Sequence, residues 1–485
     1  MTSKQPSEHP TSGNSKHSKE NDGLGWLPQG LRSALNLDKK NSRIGLLFQR
    51  VEQEFQVILQ SNIASHPQKS EESSKDSSKD SSSMEECFSE IKALLFQETN
   101  LNHSNNSTKS STVALETVQR LTATVIHPST SNTDKNEDDD QKDCQKSLLE
   151  LLLNHLAKLP FEARKDVSCI YNNILCNSNP MIQEKMVQFI EERYLDFMVP
   201  LVGGYTGIHL DVALHCGSMF RTTIQHPTLY QKLVLEQPTS ELLVYPFLDT
   251  LVHIANFEIA SDALETLRCI LTGNSHNTAN TNINNNIVTI NNNDVNYTEC
   301  MEKLTAQFLV TQYKEIFVDR FNPKLLLSST TNMRNDNYIT RRVSLQLLTT
   351  ILLTRANYNV MIQYISSRSN LKTIMMLLRD PSPHITLDAF HVFKIFVANP
   401  SKPPDITKVL MDNQVKLVKY LETLHSEREK TDEQFRDEKA LVIATLQGLE
   451  YGTNVTPLFD ATTPKHCKKI KTTVINAMDL KQPKH

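Results

Sequence analysis

Glycine is scarce in this chain, at 12 of 485 residues. No run alternates apolar and polar residues as a half-buried strand would. Together these absences disfavour a turn-rich all-β architecture and point to an all-α one. There is no apolar run of the roughly 18–20 residues that a membrane-spanning helix needs, and no signal peptide. That predicts a soluble, cytoplasmic protein. Charge of one sign is not in large excess. The formal net charge is −4, whereas a general nucleic-acid binder would carry a basic stripe. The eight cysteines are scattered without a paired zinc spacing. Cys169, Cys216 and Cys269 lie in apolar helical patterns, where a reduced thiol behaves as a small hydrophobe. Glycine-rich phosphate loops and nucleophile elbows are missing. His215 and His391 have no carboxylate or cysteine at ligand spacing and read as polar positions on half-buried helices. The acidic run 137–140 lacks the alternate ligands, central glycine and closing glutamate of a calcium loop. No catalytic site, metal or cofactor is expected.

What the chain does have is helical periodicity. In residues 336–400 apolar side chains recur at Val343, Leu347, Leu348, Ile351 and Leu352, then at Ala389, Phe390, Phe393 and Phe396. Two further apolar patches, 358–365 and 371–378, lie between them. The breaks at 380–383 and 399–400 separate segments too short to bury their stripes alone.

Thirteen residues, 339–351, align without gaps with 385–397, 259–271, 212–224 and 163–175. The fifth place is small (Val167, Cys216, Ala263, Val343, Ala389). The ninth is large and apolar (Tyr171, Phe220, Leu267, Leu347, Phe393). The thirteenth is aliphatic (Leu175, Ile224, Leu271, Ile351, Val397). Steps of four and eight put all three on one helix face. The starts are offset by 49, 47, 80 and 46 residues. The long step contains an asparagine-rich insert, 274–299, and without its 26 residues it is 54. A repeat of about 40–47 residues is the period of HEAT or armadillo units. The expected fold is therefore an all-α, armadillo/HEAT-like helical-repeat solenoid, a horseshoe of about six to seven repeats.

The expected organisation runs in four parts. Residues 1–41, which carry the single tryptophan Trp26, read as a disordered tail. Residues 42–146 read as divergent helices between Ser- and acid-rich linkers. Residues 147–450 form the array, with 242–257, 308–320 and 406–424 among its helical segments and the insert looping out at 274–299. Residues 451–485 read as a mobile tail. A capping box at 431–434, with Gln434 reaching back to Thr431, is expected to open the last helix.

Several stretches resemble one known family: FEARKDV at 161–167, YNNIL at 171–175, FEIASDA at 257–263, NYITRR at 337–342 and NLK at 370–372. MLLRD at 376–380, AFHVFK at 389–394, FVANP at 396–400 and DEQF with DEK at 432–439 extend the match. Together they resemble the calcium-binding-protein-39-like, or Mo-twenty-five, family over about 148–449 without the insert. The resemblance implies a non-catalytic scaffold. Its concave face would bind a protein kinase or a pseudokinase of the Sterile-twenty-related adaptor type and hold it in an active-like state. A second pocket would take a C-terminal Trp-Glu-Phe-type peptide. Neither nucleic acid nor membrane is an expected partner. The alternative is a helical-repeat adaptor for a non-kinase partner in transport or in cytoskeletal or polarity assembly.

The same resemblance carries concave-face roles to Phe257, Tyr338, Arg342, Gln346, Arg355 and Tyr358. Tyr358 replaces the family's usual phenylalanine, and Gln346 its lysine. The implied peptide pocket is Lys372, Met375, Arg379 and Asn413, with Asp412 replacing a residue that is basic in the family. Arg342 also stands out from the repeat itself. The fourth place is Asp166, His215, Asp262 and Asp388 in the other segments. An arginine there can fork onto a partner's carboxylate or pair with an aspartate of a neighbouring repeat.

Overall fold

The computed structural model describes residues 147–177, 179–207, 209–273, 295–327 and 338–449, with residues 50, 86 and 89 standing alone before them. The expectations for 1–41, 451–485 and nearly all of 42–146 fall outside the described residues. No β-strand occurs among the described residues.

All five aligned segments fold as one kind of element. They occupy α2 (Phe161–Leu175), α5 (Leu210–Ile224), α6 (Phe257–Thr272), α8 (Tyr338–Leu353) and α11 (Pro383–Ala398). Each packs on the next in that order, and α14 (Glu433–Gln447) packs on α11 to extend the ladder. The ninth- and thirteenth-place side chains are all buried, as are those of the fifth place apart from the half-buried Val343. One apolar stripe per helix thus closes a continuous core, which no single unit could do alone.

A second layer covers the ladder: α1 (Leu148–Asn154), α3 (Pro180–Glu192), α4 (Tyr194–Gly203), α7 (Val295–Thr311), α9 (Tyr358–Ile365), α10 (Arg368–Leu377), α12 (Pro404–Asp412) and α13 (Gln414–Thr423). Local chemistry sets the boundaries. Pro180, Pro383 and Pro404 sit in the first turns of α3, α11 and α12, where a missing N–H costs nothing. Gly273 closes α6 at φ +69°, a left-handed conformation that favours glycine.

Several segments depart from the sequence reading. α7 begins at Val295, so the last residues of the 274–299 insert belong to the array. The 242–257 stretch breaks into short turns, 239–243, 245–249 and 251–253, with Pro246 inside it. The 308–320 helix divides between α7 and a π-helical segment, Lys314–Leu326. The 406–424 helix divides at Asn413. The capping box is also displaced. Asp432, in extended conformation, accepts from Phe435 N at 3.0 Å, while Thr431 ends the preceding helical turn Ser426–Thr431. Gln434 donates to Glu438 instead. A carboxylate one residue closer to the first turn takes the capping role from the hydroxyl.

Polar contacts stitch neighbouring ladder helices. Arg164 of α2 lies 2.7 Å from Asp211 of α5, and Arg221 of α5 lies 2.8 Å from Asp262 of α6. Lys394 of α11 lies 2.6 Å from Glu438 of α14. Buried tyrosines add to them: Tyr171 bonds Thr223 at 2.7 Å, and Tyr230 donates to the Ile270 carbonyl at 2.6 Å. Each satisfies a buried hydroxyl on the adjoining repeat.

Candidate binding face

Asn256 caps α6, its side-chain oxygen accepting from Glu258 N at 2.9 Å and Ile259 N at 3.2 Å. Phe257 is therefore the first residue of the helix. Its ring projects ahead of the packed layer and is 62 % exposed. Tyr338 holds the same kind of place at the start of α8 and is also exposed. Because α6 packs on α8, two accessible aromatic rings stand at the starts of adjacent ladder helices.

From Tyr338 the face continues along α8. Arg342 and Gln346 follow at intervals of four, on one stripe. Gln346 and Thr350 are exposed, Arg342 partly so. Arg355 and Tyr358 lie past the other end, in the turn Arg355–Asn357 and at the start of α9. A helix of 16 residues is about 24 Å long. Phe257 and Tyr338 thus stand at the starts of α6 and α8, Arg342 and Gln346 follow along α8, and Arg355 lies past its far end. Arg355 is exposed, whereas Tyr358 is half-buried against the core.

Both alternatives for Arg342 bear on this geometry. Asp388, the fourth-place residue of the next repeat, lies with Oδ2 at 3.4 Å from Arg342 Nε. Gln346 Nε2 donates to the same oxygen at 3.3 Å. Burial raises the pKa of the Asp388 carboxyl, while Arg342 and Gln346 act in the opposite direction. The pair with a neighbouring aspartate is present, yet 40 % of the Arg342 side chain stays exposed. Asp388 stands at the fourth place of the sequence repeat, but the repeat alone gives it no part in the face.

The predicted peptide pocket lies elsewhere, in the second layer where α10 packs on α12. Lys372 on α10 and Arg379, two residues past its end, are exposed. Met375 is half-buried and packs on the core, while its neighbour Met376 is 62 % exposed. Asn413 joins α12 to α13, and its side-chain amide donates to the Val409 carbonyl at 2.8 Å. Tyr420 of α13 donates to the Leu378 carbonyl and tethers α13 to the end of α10. Val415 of α13, two residues past Asn413, is 79 % exposed, and the sequence reading gives it no role. A lone valine beside a helix break gives no periodic signal.

Neither surface gathers a nucleophile, base and oxyanion donor. Among the described residues no three His, Cys, Asp or Glu side chains could hold a metal ion, and no helix is long and apolar enough to cross a membrane. Burial pushes the Cys216 thiol up to about 12 and lowers His391 to about 4. Both groups are neutral near pH 7.

A family model described as Mo25-like matches residues 47–303 and 298–450. The human "Calcium-binding protein 39-like" is 36 % identical over 304 residues, covering 62 % of this chain and 76 % of that protein. The "Mo25-like protein" of Schizosaccharomyces pombe is 33 % identical over 313 residues, covering 63 % and 78 %. "MO25-like protein 2" of Caenorhabditis elegans is 34 % identical over 351 residues, covering 71 % and 90 %. Among solved structures, a designed armadillo repeat protein covers 71 % of this chain at 11 % identity and a TM-score of 0.31. The sequence match spans the whole ladder from α2 to α14, and the chain belongs to the Mo25-like family.

Proposed function

We propose that the ladder face of α6 and α8 binds the folded domain of a protein kinase or pseudokinase and favours its active-like conformation. On this reading the protein has no chemistry of its own. Family membership supports a scaffold role. The observation that carries the finer reading is the set of accessible side chains on two packed helices: exposed Phe257 and Tyr338 at their starts, then Arg342 and Gln346 along α8. Aromatic and arginine side chains held on rigid elements are the composition of binding hot spots. A surface of this kind shifts a partner's population when it contacts one conformation better than the other.

The test is calorimetric titration with a purified kinase domain of the Sterile-twenty class and with a pseudokinase of the related adaptor type. Phe257→Ala and Arg342→Ala should each weaken binding at least tenfold while leaving the melting temperature within about 2 °C, since both side chains lie outside the core. Equal loss of binding and stability would make the residues structural. A peptide or non-kinase cargo binding with higher affinity would favour the alternative adaptor role.

The second surface supports capture of a short peptide with an aromatic and an acidic group. Methionine accommodates aromatic rings, and Lys372 and Arg379 can meet a carboxylate. Because Met376 is exposed and Met375 packs inward, Met376→Ala should lower affinity for a Trp-Glu-Phe-type peptide at least as much as Met375→Ala. Unchanged affinity in both variants would remove the pocket.

A further inference from the structure

Two adjacent arginines of α8 are held in different ways. Arg341 closes a short pair with Asp380 at 2.8 Å, with both side chains largely buried. Arg342 stands at 3.4 Å from Asp388, and its Nε is buried without a hydrogen bond. The three other ion pairs between neighbouring ladder helices close to 2.6–2.8 Å, with their cations only 11–12 % exposed. Buried nitrogens are almost always hydrogen-bonded, and an exception calls for an explanation. The Arg342–Asp388 pair is the longest of this set and has the most exposed cation, so stability alone does not explain it.

Its orientation does. Nε is the guanidinium atom nearest Asp388, an ion-pair contact without a hydrogen bond, and neither terminal nitrogen of Arg342 is buried. A guanidinium presents planar edges that can each take a carboxylate. With the Nε side facing Asp388, the Nη1/Nη2 edge is the one left for an incoming group. Gln346, on the same stripe, is fixed by the same oxygen. One half-buried carboxylate from the next repeat therefore sets the direction of two side chains on the face.

We propose that Asp388 is the positioning residue of this surface: it holds Arg342 by its Nε side so that Nη1 and Nη2 meet a carboxylate of the docked domain end-on. The proposal rests on the docking role assigned above to α8. Pre-orientation spares the long side chain part of the rotamer entropy lost on binding. It also selects partners whose acidic group lies straight ahead of the fork rather than to its side.

The full chain is titrated with the same purified kinase domain as wild type, Arg342→Ala, Asp388→Ala, Asp388→Asn and the Arg342→Ala/Asp388→Ala double variant, with a melting curve for each. Asp388→Ala should weaken binding about tenfold, and the double variant should bind no worse than Arg342→Ala alone, since coupled residues are not additive. Asp388→Asn keeps the shape and an acceptor oxygen, so it should fold normally and lie between wild type and Asp388→Ala. Tighter or unchanged binding by Asp388→Ala would show that the carboxylate competes with the partner or is idle. Losses that add in the double variant would show independent action. Either result overturns the proposal while leaving the docking face standing. If Arg342→Ala itself binds like wild type, the role of the α8 strip fails, and that of Asp388 with it.

Discussion

Gly217, in the middle of α5, gives the sharpest test of how the ladder is held together. Replacing an interior helix glycine by alanine ordinarily gains roughly 0.5–1 kcal/mol. Here a methyl group would run into the Asp262 carboxylate, the Tyr205 hydroxyl and the Arg221 guanidinium. Those groups form one network between α5 and α6. Tyr205 donates to Asp262 and bonds Thr266 at 2.9 Å, while Arg221 reaches Thr266 at 2.7 Å and Asp262 at 2.8 Å. The Arg221 and Asp262 side chains are only 12 % and 11 % exposed. Separating such a pair costs about 3–5 kcal/mol, so the gain in propensity is outweighed. Gly217→Ala should lose about 2–4 kcal/mol, read as a lower urea midpoint by circular dichroism. Hydrogen exchange should rise first at the α5–α6 junction, because repeat arrays fail at their weakest interface. A variant as stable as wild type, or more so, would refute the packing argument for this junction.

Lys394→Met should destabilise α14 by about 3–5 kcal/mol, because it strands the buried Glu438 carboxylate. Adding Glu438→Met should restore most of the loss, and exchange protection of α14 relative to α2 measures both. His391 has its pKa lowered to about 4 by burial, with Lys394, Glu438, Arg428 and Asp432 contributing smaller effects of both signs. A depressed histidine leaves the unfolded chain binding more protons. Its contribution, up to about 3 kcal/mol, is therefore complete above pH 6.5 and lost as pH falls toward 4. His391→Gln should flatten the fall in melting temperature across that window, and an unchanged slope would assign the acid sensitivity to other groups. Gly273→Ala should cost about 1 kcal/mol or more through its positive φ, checked by the same denaturation curves.

Most of the fold was legible because its signal is local. Spacings of four and eight state which side of a helix is apolar, and five segments in one register state that the sides must stack. The boundaries that failed did so where short-range chemistry competed. Pro246 lies where the 242–257 stretch breaks, Asn413 divides α12 from α13, and Asp432 outcompetes Thr431 as a cap. The candidate face was only half legible. Exposure of Phe257 follows from its first-turn place, but nothing in the linear order separates Met375 from Met376. That distinction depends on which side of α10 meets the core.

From the sequence alone came the repeat, its period, the ladder helices and the odd arginine at the fourth place. The tertiary structure decided what each ladder residue meets. Asp388 lies 46 residues beyond Arg342, and Asp262 lies 45 beyond Gly217. Such pairings depend on how far one helix is shifted and rotated against the next. That offset is set by the fit of whole side-chain layers across the interface, which no single segment encodes.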